Sequence, residues 1–240
     1  MVEKGYTAVE TKSKAVEIDE GLRRYMISIY NYMTVALVVT GVVAAVIANT
    51  SLIRLFFDIN GGLSVLGWIA LLSPIAVIFW FNNVAAKGSV VQLKAIFYLF
   101  SVLMAVSLTP VFLVYTGASV AKVFLITSVT FGGMSIYGYT TKKDLTSWGS
   151  FLRMGLWGII IAMIVNIFMR SGPMDYAISV IAVFVFTGLI AYDTQKIRQI
   201  YYSGDSEDTQ GRKALVGALN LYLDFINLFV HLLRLIGDRR

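Results

Sequence analysis

The chain has 240 residues, 58% of them hydrophobic and 14% charged, and its mean hydropathy is +0.75. A soluble domain carries about 25% charged residues, so the composition excludes a globular protein in water and makes the bilayer the solvent and first partner of this chain. The net charge of +6 then orients spans rather than binding nucleic acid, and a chain with no cysteine and one histidine has no disulfide framework, thiolate metal site or multi-histidine centre.

Residues 1–25 are polar and mixed in charge and contain no apolar core of a secretory signal. They read as a short, partly disordered cytoplasmic tail ahead of a membrane domain over 26–240. A spanning helix needs about 20 mostly apolar residues. Seven candidates follow, at 26–48, 63–81, 93–115, 123–139, 151–169, 176–192 and 214–236. Lipid offers the backbone no partners, so helices are the economical element, and the alternating segments of a barrel do not occur. The predicted class is an all-α integral membrane protein, a seven-helix bundle.

Pro110 in the third span predicts a kink. FGGMSIYGYTTKKDLTSWGSFL at 131–152 brings Gly132, Gly133, Ser135 and Gly138 onto a small-residue face, which suits close helix packing. The longest connection, 194–213, holds SGDSED and reads as a solvated loop. Fourteen of the 20 basic residues fall on the side of the N-terminal tail, which predicts a cytoplasmic N-terminus in a cell membrane. Seven crossings put the C-terminus outside; a re-entrant last segment would bring it back inside.

The last span, GALNLYLDFINLFVHLLRLIG at 217–237, carries Asp224 in its middle. An ionised carboxylate at the bilayer centre costs about 2.5–3.5 kcal/mol. It escapes by staying protonated, through desolvation, or by finding a partner in the bundle. Asn220, Asp224, Asn227, His231 and Arg234 follow offsets of 4, 3, 4 and 3, so they share one stripe of the helix. The stripe should face protein, not lipid. The two asparagines read as interhelical hydrogen-bond formers, His231 and Arg234 as wet residues near the outer end, and Asp224 as functional. Asp193, in AYDTQKI at 191–197, read alone, is a structural residue at a helix end. Beside Asp224 it would complete a pair sharing one proton. Protonated, such a pair ties two helices together; deprotonated, it repels or takes a hard cation such as Ca²⁺ as a tentative oxygen-ligated site. Pairing requires the last helix to sit deeper toward the tail side or the sixth to run past Tyr192.

Three segments, GGMSIYGYTTKKDLTSWG, AYDTQKI and ALNLYLDFINLFVHLLRLIG, resemble the transmembrane Bax-inhibitor-motif family in its compact bacterial form, over roughly residues 20–240. The resemblance implies a bundle with the C-terminal helix central and surrounded by the other six. It also implies that Asp193 and Asp224 are the family's pH-sensing aspartates, and it implies passive calcium leak or modulation of a membrane-embedded ATP-dependent protease. One departure stands out. Some bacterial relatives carry a basic cluster after the second helix, where this chain has FNNVAAK with Asn82 and Asn83.

Three functions compete. The first is a pH-sensitive calcium leak gated by Asp193 and Asp224, with no bound cofactor. The second is a non-catalytic regulator of a membrane protease. The third, an intramembrane aspartyl protease, lacks its Gly-x-Gly-Asp element, since Leu221-Tyr222-Leu223 precedes Asp224.

Overall fold

Each apolar run becomes a helix, and most helices overrun the run that predicts them. The computed structural model describes residues 2–58 and 62–240, with side chains from Glu20 onward. Among these residues the regular structure is helical: α1 Val2–Asn49, α2 Ile53–Phe56, α3 Val65–Lys87, α4 Val90–Val114, α5 Gly117–Thr140, α6 Thr146–Met169, α7 Gly172–Gln199 and α8 Glu207–Ile236. All but α2 contain a segment long and apolar enough to cross a membrane. The helix starts are marked in the sequence. Ser64, Ser89, Thr116, Ser171 and Ser206 each accept a hydrogen bond from the N–H three residues on, the ordinary N-cap arrangement.

Two boundaries depart from expectation. The backbone of the tail from Val2 onward is helical and continuous with the first span, in keeping with its Ala, Glu and Lys content. The connection before the last helix also shrinks to 200–206, because α7 continues to Gln199 and α8 begins at Glu207. Charged and polar residues at a span's ends leave the lipid while the helix goes on.

The last helix is the most buried: 67% of its most apolar stretch lies inside the protein, against 11% for α6. Helices α1, α3, α4, α5 and α7 all pack on α8, while α6 packs on α7. The ends of α8 are tied to opposite ends of α4. Near its start, Asp208 Oδ1 accepts from Val90 N at 3.4 Å and Arg212 donates to the Ala86 carbonyl at 3.4 Å. Past its end, Arg240 N donates to the Val114 carbonyl at 2.9 Å and Thr116 N to the Asp238 carbonyl at 3.1 Å. The helix therefore runs the full length of the bundle.

Candidate functional site

The polar stripe of α8 lies against α7 and sets the register between them. Near the connection, Lys213 Nζ donates to the Ile200 carbonyl at 3.1 Å and to Asp205 Oδ2 at 2.5 Å. One turn further, Gly217 sits under the Ile197 side chain. Next come the two acids: the carboxyl groups of Asp193 and Asp224 lie within side-chain hydrogen-bonding reach of each other. Beyond them His231 stacks on Phe186, with ring centroids 6.1 Å apart, and its Nδ1 lies 3.3 Å from Ser179 Oγ. The seam ends where Arg234 pairs with Asp175 at 3.1 Å. Along α8 the contacts fall at 213, 217, 224, 231 and 234, and their α7 partners run the other way at 200, 197, 193, 186 with 179, and 175.

The extended α7 brings the acids level. From the contact of Gly217 with Ile197, Asp224 lies seven residues on, about 10 Å along its axis, and Asp193 four residues back, about 6 Å. The reach of the two side chains spans the difference. Asp224 is 5% exposed, and its Oδ2 receives no bond from an N–H or O–H donor. Asp193 is half-buried. As a matter of chemistry, two carboxyl groups bond to each other only through a proton between them.

The surroundings of Asp193 are tightly built. Gln195 Oε1 accepts from Leu145 N at 2.8 Å and its Nε2 donates to the Lys143 carbonyl at 2.8 Å, clamping the α5–α6 connection to α7. A Cβ at Gly138 would run into the Ala191 carbonyl, and one at Gly149 into the Tyr192 ring. The positive charges nearest Asp193 are those of Lys196 and Arg153, the latter 5.4 Å over the Tyr192 ring.

Several residues differ from their sequence reading. His231 is 3% exposed, not wet, because Phe186 covers its ring. Asn227 Nδ2 donates to the Leu223 carbonyl of its own helix at 2.8 Å rather than across helices, that carbonyl being the nearest acceptor one turn back. Asn220 is half-buried. Gly138 and Ser135 are buried on the small-residue face, whereas a Cβ on Gly132 or Gly133 would meet nothing. Asn82 and Asn83 are exposed on α3.

Among the described residues no three acidic, histidine or cysteine side chains gather as metal ligands. The pair offers at most four carboxylate oxygens where calcium takes roughly six to eight ligands. The two side chains by themselves therefore do not complete a calcium coordination shell.

A family model described as "Inhibitor of apoptosis-promoting Bax1" matches residues 22–240. The chain is 42% identical to the protein RP147 of Rickettsia prowazekii (strain Madrid E), over 96% of each chain. It is 40% identical to the inner membrane protein YbhL of Escherichia coli (strain K12), over 92% of this chain and 94% of that one. A protein of Caulobacter vibrioides is 39% identical over 94% of this chain and 92% of its own. With the match covering nearly the whole membrane domain and seven apolar helices behind it, this chain belongs to the Bax inhibitor family and is a multi-pass membrane protein.

Proposed function

We propose that the protein is a pH-sensitive cation leak, with calcium as the ion, gated by the Asp193–Asp224 pair. The observation behind this reading is the meeting of the two carboxyl groups across the α7–α8 seam. With a proton between them the helices are tied. Without it two anions face each other, the seam loosens, and hard oxygen ligands are left for a hard cation. A polar hollow of about 960 Å³ at the connection end of the bundle, lined by Arg24, Tyr25, Tyr201 and Glu207 among others, supports water access from that side. In this reading α8 is the axis of the bundle, Asn220, Asn227 and His231 support its polar stripe, and the basic tail side is cytoplasmic. The membrane is the inner membrane, where the relative YbhL resides by name. The pair acts without catalysis, since Leu221-Tyr222-Leu223 precedes Asp224 in place of Gly-x-Gly.

The test is calcium flux into proteoliposomes as a function of pH. The wild-type chain should conduct more as pH rises, and Asp224→Asn should conduct without that dependence. No flux at any pH from correctly folded protein overturns the reading.

One observation favours a second reading, a non-catalytic regulator of a membrane protease. Helix α6 turns Trp148, Phe151, Trp157 and Phe168 outward, each at least 63% exposed, a surface for a partner's helices. Co-purification with a protease, together with absence of intrinsic flux, would select it.

A further inference from the structure

Helices α1 and α5 both rest on α8 but diverge from each other, leaving a lateral trough of about 780 Å³ floored by Phe225. Its size falls in the range of ligand pockets, roughly 300–1,000 Å³. A second hollow of about 460 Å³ shares Leu37, Phe124 and Phe225 with it, so the two run end to end along the bundle. The walls are apolar for most of this length. Charged groups occur at one end. Arg23 lines the mouth, and Tyr139, across from it on α5, has the Arg198 guanidinium 5.4 Å over its ring. Glu20 and Arg24 flank Arg23, and the local balance stays positive. Deeper along the trough Thr34 and Ser128 line the wall, and the Ser128 hydroxyl is already spent on the Phe124 carbonyl at 2.8 Å.

We propose that this trough is a binding site for an anionic phospholipid from the leaflet at the Arg23 end. The order of groups matches the order along such a lipid: basic side chains at the phosphate, then an apolar channel for one acyl chain. An apolar helix of a partner protein would leave the positive charge at the mouth unmatched. The occupant rests on Phe225, the residue next to Asp224, so it touches the helix of the acidic pair without contacting the carboxyl groups.

Native mass spectrometry of the full-length chain in detergent, with phosphatidylglycerol or phosphatidylcholine added, tests this. The wild type should retain phosphatidylglycerol in preference to phosphatidylcholine. Arg23→Gln should lower that preference about fivefold, the effect of one basic residue at an anionic surface. Gly132→Phe, whose Cβ meets nothing within 4 Å, fills the trough and should lose both lipids. Equal retention of the two lipids by the wild type, an unchanged preference in Arg23→Gln, or wild-type retention by Gly132→Phe overturns the proposal. Should Gly132→Phe fail to fold, the absence of cysteine in the chain makes Ser128→Cys a unique labelling site in the trough. A fluorophore there should be quenched more by brominated phosphatidylglycerol than by brominated phosphatidylcholine; equal quenching overturns the proposal.

Discussion

Two aspartates, Asp144 and Asp224, mark the opposite treatments this chain gives a carboxylate. Asp144 is exposed in the α5–α6 connection, and its Oδ1 accepts from Thr146 Oγ1 at 2.6 Å and Thr146 N at 2.9 Å. Those bonds, the hydroxyl's first, hold its pKa below the ordinary aspartate value. A lowered folded-state pKa contributes stability that is present above the unfolded pKa, near 3.9, and lost as pH falls through the folded one. The thermal midpoint of Asp144→Asn should therefore lie below that of the wild type at pH 7. The gap should close in strong acid, and the pH dependence of flux near neutrality should be untouched. Asp224 is buried against another acid in place of a donor. Its cost was legible in the sequence as a charge among apolar residues. Its partner was named only by the family resemblance, since Asp193 read alone, flanked by Thr194, Gln195 and Lys196, is an ordinary helix end. Gln195, the clamp on the α5–α6 connection, gave no signal because its partners are backbone groups 50 and 52 residues away.

The spans were legible as elements because lipid enforces length and apolarity, properties written residue by residue. Their ends were not: the last two turns of α7, QKIRQ and the residues before it, are polar enough to look like loop. The α8 stripe stands out because its helix is amphipathic. The matching positions 193, 186 and 179 of α7 are an acid, an aromatic ring and a hydroxyl, and no hydropathy pattern links them. Close approaches are equally hidden. Gly132, Gly133 and Gly138 look alike in GGMSIYG, yet only a Cβ at the last would strike another helix. Gly138→Val should cost about 1–3 kcal/mol as overpacking against Ala191, whereas Gly133→Ala should be neutral or slightly stabilising. Thermal unfolding of the two variants in detergent separates these outcomes.

For the whole molecule, the C-terminal residues act as a latch on the far end. Besides the two backbone bonds to the α4–α5 connection, Asp238 N donates to Ser119 Oγ at 2.9 Å. Removing 238–240 deletes these three bonds. At about 0.5–1.5 kcal/mol for each bond, the loss should be about 1.5–4.5 kcal/mol, read as a lower melting temperature. The basic end that left the topology ambiguous in the sequence thus has a fixed place, which charge counting had no means of finding.

The α7–α8 seam constrains how the acids can part. At the far end, Arg234 is paired with Asp175 and the His231 ring lies flat on Phe186. Sliding α8 lengthwise would break both at once and bring Asp224 beside a different α7 residue. Splaying the connection end, with the far end held, keeps both but pulls Lys213 from the Ile200 carbonyl. The two helices are clasped at both ends, by the arginine and the stacked imidazole at one and by the lysine at the other, with the aspartates on the stretch between.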